Sequence, residues 1–384
     1  MPIDGDRRRG GLSSSAASGS MAAAPRRQAG DFPACACDAL HQVGKALRQQ
    51  NTKSRSNLMS QNLLDLQATL DQDLFCLGPD RRTTRLSPIQ QLKLLELLCS
   101  FFQEKCEEGR QRYAFFELIF CGREGETVLH EARIGLLVKL CSLAVQYPCH
   151  SLLVDVSLWL NKIGLVKPYA SQVVATVVEH FCKQPLTSGN SQEEALYSWL
   201  YPVATTAPEF AAFVVVLPLR DSRDPPIALI AVVAEWLCSA SKPIASTLLR
   251  GELNKVFLAE SFPNIIRIAC SSSPNENSSP LVDDIICKFH TGLLHFILAW
   301  ADVGANVKLL NDTTIITVME SIASSGADSQ METTKIGLDR LAQLLQIAVA
   351  CKCFNGSLDS IKHSYQSLGI SHDLFSFIFT TPTA

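Results

Sequence analysis

The sequence predicts an all-α fold: a HEAT-like stacked helical array, or α-solenoid, followed by a C-terminal helical group and preceded by a disordered N-terminal tail. Three observations predict it. The stretch Ser87 to Glu104, SPIQQLKLLELLCSFFQE, reads as a helix that is apolar over an unusually wide arc. Apolar segments of helical pattern then recur along the chain, most of them ended by Gly or Pro. The dipeptides Trp159-Leu160, Trp199-Leu200 and Trp236-Leu237 recur at spacings of about 40 residues, within the range of two-helix HEAT-like units.

The Ser87 to Glu104 stretch carries its own start signal. Ser87 is placed to N-cap, Pro88 suits the first helical position, and Gln90 stands where a capping box takes Glu or Gln. On a helical wheel Lys93, Glu96, Ser100, Gln103 and Glu104 make a narrow polar stripe. Leu92, Leu94, Leu95, Leu97, Leu98, Cys99, Phe101 and Phe102 cover roughly 220°, against ~100° for an ordinary surface helix. Such a helix needs neighbours on two sides, as it would have inside a stack.

Taken in order, residues 1–34 form a tail of Gly, Ser, Ala and Arg that buries too little to offset the entropy of ordering. Arg7-Arg8-Arg9 and Arg26-Arg27 have the form of a nuclear import signal, although short basic runs also occur in solvated tails. Met21 opens MAAAPRR as an alternative start. Residues 35–270 make up the array. Cys35 to Leu77 is helical in pattern, with Leu63, Leu66, Leu70 and Leu74 spaced by three and four, and Gly78-Pro79 ends it. A linker with Arg81, Arg82 and Arg85 leads into the Ser87 helix. Tyr113 to Phe120 and Thr127 to Ala144 follow, separated by a turn at Gly122 to Gly125.

Leu152 to Leu160, Ala170 to Phe181, Glu193 to Leu200, Phe210 to Leu217, Ile227 to Ser239 and Ala245 to Leu258 continue the array. Pro185, Pro202, Pro218, Pro243 and Pro263 are read as stops. The Val-rich runs Val173 to Val178 and Val214 to Val216 lack strand alternation and are read as helical. Residues 271–280 form a flexible loop around SSSPNENSS. Residues 281–384 form the C-terminal group, with helices over Leu281 to Trp300, Asp312 to Ile322, Thr333 to Ala350 and Leu358 to Tyr365.

A chain of 384 residues, 47% hydrophobic and 18% charged, has ample apolar surface for a core. Its net charge of −3 excludes a strongly basic nucleic-acid binder as a whole-chain reading. The fourteen cysteines lie in apolar segments (Cys99, Cys141, Cys182, Cys238, Cys287) and read as reduced core thiols. The longest apolar runs fall short of the ~18 residues a membrane span requires, so a soluble intracellular protein is expected.

No residue set announces catalysis. His130-Glu131 begins like a zincin helix, but Ile134 stands where the second metal-binding histidine belongs. Cys35-x-Cys37 with His41 offers three ligands where structural zinc takes four, and Cys351-x-Cys353 is read the same way. Asp283-Asp284 suits a helix start better than a magnesium site. The motifs of nucleophile elbows, phosphate loops and dinucleotide turns do not occur. The tryptophans and paired phenylalanines lack interleaved basic residues and read as core. No cofactor, metal or small-molecule substrate is implied.

The segments SPIQQLKLLELLCSFFQE and GLDRLAQLLQIAVA (Gly337 to Ala350) resemble the Integrator complex subunit 15 family. VDVSLWLNK, TAPEFAAF and PPIALIAVVAEWL lie between them in the expected order. The resemblance covers most of residues 85 to 365 and leaves the tail and the Ser271 to Ser279 loop unmatched. It implies a non-catalytic α-helical subunit of the nuclear Integrator assembly, which acts with RNA polymerase II in small nuclear RNA 3′-end processing and in termination. It also implies a connecting role, between the module of subunits ten, thirteen and fourteen and the rest.

The competing readings are a generic α-solenoid adaptor for trafficking or transport, and an RNA-binding helical protein using the basic tail with Arg81, Arg82 and Arg85. On Gly337 to Ala350 the stripe Leu338, Leu341, Leu344, Leu345 and Ala348 is core. Asp339, Gln343 and Gln346 face away, with Arg340 on their flank. Arg340 is of the type enriched at interface hot spots and lies within the family-like run. These four residues are therefore the candidate partner-binding set. The alternative is an intramolecular contact of Arg340 between adjacent helices.

Overall fold

The structure, a computed structural model, describes residues 32–50, 65–78, 83–104, 109–120, 131–146, 149–163, 173–175, 178, 203–221, 224–250, 252–271, 280–304, 307–325 and 331–380. Most of the expected tail, most of the 271–280 loop, Trp199-Leu200 and the Arg81-Arg82 pair lie outside these residues. The described chain is all-α, apart from one short strand pair and one isolated bridge.

Helix α1 (Ala34–Gln50) buries Ala36, Ala39, Leu40 and Val43 along one face. It packs on a π-helical turn, Leu70–Leu74, whose two end leucines are fully buried. Next come α2 (Pro88–Glu104), α3 (Gly109–Phe120), α4 (Glu131–Gln146) and α5 (His150–Ile163). The capping box of α2 forms as written. The Ser87 N–H donates to Gln90 Oε1 at 2.9 Å, and the Gln90 N–H to Ser87 Oγ at 3.4 Å.

The wide apolar arc of α2 meets α4 and α5, and its C-terminal phenylalanines pack on α3. One member departs from that reading: Leu92 is 51% exposed, because the wheel fixes direction but not which turns a neighbour covers. Phe101, Phe102, Phe115 and Phe116 interlock at ring distances from 4.2 to 6.5 Å, and Phe116 reaches Trp159 of α5 at 6.3 Å.

Helix α6 (Pro208–Asp221) buries every side chain from Phe210 to Leu217, including the Val214 to Val216 run. Three prolines read as stops lie inside helical segments. Pro218 sits within α6, whose carbonyls at Val216 and Leu219 accept hydrogen bonds from Ser261 Oγ (3.0 Å) and Asn264 Nδ2. Pro243 occupies the first turn of α8 (Ser241–Leu248), where its missing N–H would be unpaired anyway. Pro263 lies at the start of α10 (Phe262–Cys270). This helix continues from α9 (Glu252–Val256) through a second π-helical turn, Phe257–Ser261, so the chain passes the proline without leaving helical geometry.

Helix α7 (Ile227–Ser239) is almost wholly buried. Its main neighbour is distant in sequence: α11 (Pro280–Val303) lies along it. Gly292 permits the approach, since a Cβ there would stand 3.0 Å from the Ala234 carbonyl and from Leu237 Cβ. The C-terminal helices are α12 (Asp312–Ser325), α13 (Met331–Ala350), α14 (Leu358–Ser367) and α15 (Asp373–Thr380). α15 was not among the sequence expectations. A parallel pair joins β1 (Leu310–Asn311) to β2 (Phe354–Asn355) with Leu310 opposite Phe354.

One hydrophobic cluster runs from Ala36 to Ile378 and includes Trp159, Trp236 and Trp300. No single helix among the described residues is long and apolar enough to cross a membrane. The thiols Cys99 and Cys141 are buried as expected, whereas Cys287 is exposed and Cys238 half-buried.

Candidate partner-binding site

Helix α13 is where the C-terminal elements meet. Leu338, Leu341, Leu344, Leu345 and Ala348 are buried to within 2%, which gives the helix its inner face. Gly337 sets its depth: a Cβ there would lie 2.8 Å from the Cys270 carbonyl at the end of α10. The two helices therefore touch backbone to backbone at this point.

The next residues hold three other elements. Arg340 Nη1 donates to the Ser271 carbonyl at 2.9 Å and lies 3.4 Å from that of Ala269. Those carbonyls belong to the end of α10, where no further turn supplies N–H donors and a cation opposes the helix dipole. His290 of α11, 5% exposed, places Nε2 3.2 Å from the Arg340 carbonyl. Burial lowers its pKa, and the Arg340 charge acts the same way, while the bond to the carbonyl works in the opposite direction. Asp339 Oδ1 meets Nε2 of His372, a 6% exposed histidine just before α15, at 3.2 Å. The His372 carbonyl in turn accepts from the Tyr365 hydroxyl of α14 at 3.2 Å.

Of the four candidate residues, Asp339 and Arg340 thus contact other parts of the same chain, Gln343 is half-buried, and Gln346 is exposed. The arrangement joins α10, α11 and α15 to one helix and presents Gln346 outward. No group of three or more His, Cys, Asp or Glu side chains that could hold a metal occurs among the described residues. The possible zinc set is divided on α1, with Cys35 buried and Cys37 and His41 exposed.

Sequence reasoning missed two buried charge pairs nearer the N-terminus. Asp155 of α5 is fully buried and accepts from Arg112 Nε at 2.7 Å, while its Oδ1 has no hydrogen-bond partner among the described residues. Arg133 of α4, 3% exposed, pairs with Asp71 on the first π-helical turn and lies over the Phe75 ring at 5.1 Å. The available signal was a lone acid within an apolar helix, as in VDVSLWL.

Comparison with known proteins adds to this geometry. A family model described as Integrator complex subunit 15 matches residues 27–369. Integrator complex subunit 15 of the mouse is 29% identical over 171 residues, 43% of this chain and 35% of that protein. The zebrafish protein of the same name is 22% identical over 194 residues, 48% of this chain and 38% of that one. The Drosophila melanogaster protein is 24% identical over 366 residues, which cover 85% of this chain and 88% of its own. The matched part thus spans under two fifths of the two vertebrate proteins and most of the fly one. With the family model running through nearly all the described helices, the chain belongs to the Integrator complex subunit 15 family.

Proposed function

We propose that the chain is a non-catalytic bridging subunit of the nuclear Integrator complex. In this reading it links the module of subunits ten, thirteen and fourteen to the rest of an assembly acting with RNA polymerase II in small nuclear RNA 3′-end processing and termination. The observation that carries the proposal is the family match over residues 27–369. The all-α build supports it, because exposed helix faces can serve several partners. The partner face is assigned to the outer side of α13, with Gln346 as the exposed contact, Gln343 beside it, and Asp339 and Arg340 holding the helix in place.

Affinity purification of the tagged chain from nuclear extract tests the proposal. Recovery of the other Integrator subunits is the expected result, and their absence from a soluble, folded sample overturns it. For the face, Gln346→Arg should keep the melting temperature and reduce that recovery. Unchanged recovery moves the interface elsewhere.

A further inference from the structure

Two aliphatic side chains of α2 face solvent. Ile89 is 70% exposed and Leu92 51%, and their spacing of three residues sets them side by side on one face of the helix. The first turns of α2 thus carry an apolar ridge that the fold leaves uncovered. Cations surround it. Lys93 stands four residues after Ile89, Arg85 lies just before the helix, and both are exposed. Lys139 of α4, also exposed, reaches Gln91 Oε1 at 3.0 Å and so stands next to the same turn. None of the three takes part in an ion pair among the described residues. Along the exposed stripe the nearest carboxylate is Glu96, one turn beyond Leu92, so the surroundings of the ridge are positive.

We infer that the first turns of α2 are a docking surface for an acidic amphipathic helix of a partner protein. Aliphatic side chains of that helix, recurring every three or four residues, cover Ile89 and Leu92, while carboxylates on its flanks meet Arg85, Lys93 and Lys139. Charge selects this occupant over the others. The chain's own residues up to 30 carry five arginines against Asp4 and Asp6, so the same cations repel them. A second copy would set one positive surround against an identical one. A nucleic acid is drawn by the cations, but Ile89 and Leu92 offer no ring for a base to stack on. An acidic helix answers both halves of the surface, since it takes the apolar ridge out of water and pairs the cations at the rim. The surface uses none of the residues assigned to the α13 face and does not rest on the function proposed above.

The test photo-cross-links the full chain carrying Ile89→p-benzoylphenylalanine in whole-cell extract and sequences the joined peptides by mass spectrometry. The expected product is a segment of another protein in which apolar residues recur every three or four positions among Asp and Glu. A synthetic peptide of that segment should bind the unsubstituted chain in fluorescence anisotropy, more weakly as salt is added. Leu92→Ser and Lys93→Glu should each weaken that binding by about tenfold or more. Both should leave the melting temperature unchanged, because the two side chains are exposed. The inference is overturned if the cross-links fall on the chain's own N-terminal residues, on a second copy, on RNA or on a neutral or basic segment, or if none forms. It is equally overturned if the peptide binds the two variants as tightly as the unsubstituted chain.

Discussion

Among the described carboxylates, Asp155 is the one whose titration is displaced from its ordinary range. Burial raises its pKa to about 6, against the opposing effect of Arg112, because the carboxylate has lost water and only one of its oxygens is bonded. The folded state therefore binds a proton between about pH 4 and 6 that the unfolded chain has released. Stability from this group is present below pH 4 and is lost as pH rises through 6, by up to about 3 kcal/mol. Chemical denaturation across this range should show the decline, and Asp155→Asn should remove it; parallel pH profiles for the two proteins would count against the account. In α2, Leu95 and Phe102 are 6% and 1% exposed, so truncation to Ala should cost about 2 to 5 kcal/mol. Lys93→Ala and Glu96→Ala, on the exposed stripe, should stay within about 0.5 kcal/mol in the same urea titration. Arg340→Glu should lower the melting temperature, since it places a carboxylate against the carbonyls that Arg340 now serves.

At the scale of elements, two glycines in helices have opposite meanings. Gly337→Ala drives a Cβ into the backbone carbonyl of Cys270, which cannot swing aside as a flexible side chain would, and should cost about 1 to 3 kcal/mol. Gly135→Ala on α4 meets no atom within 4 Å and should stabilise by about 0.5 to 1 kcal/mol through helix propensity. A thermal melt of the two variants separates close helix packing from intrinsic preference. The prolines carry a similar lesson. Pro218, Pro243 and Pro263 have the same ring, yet an internal position, a first turn and the approach from a π-helical turn each let the helix persist. A proline in sequence marks a missing donor, and the surrounding fold decides whether the chain must leave the helix there.

Across the whole molecule, the segments that resemble the family, Ser87 to Glu104 and Gly337 to Ala350, each lie at a junction. α2 joins α4 and α5, while α13 joins α10, α11 and α15. Loss of a junction should therefore be felt beyond its own helix. His372→Ala removes the Asp339 contact to the residue preceding α15. In hydrogen exchange, the amides of α14 and α15 should lose protection while those of α2 to α5 keep theirs. Equal loss throughout would mean that the molecule opens as one unit.

The all-α class, the α2 start and the inner face of α13 were legible in the sequence because they rest on local chemistry and helical periodicity: Ser87 and Gln90 lie three residues apart, and the α13 leucines recur every three or four. The α7–α11 pairing, the Arg112–Asp155 and Arg133–Asp71 pairs and the Arg340 contact to the end of α10 required the tertiary structure. Each joins groups tens of residues apart. Periodicity fixes which face of a helix is apolar, whereas the partner it meets depends on how all the helices fill the core together.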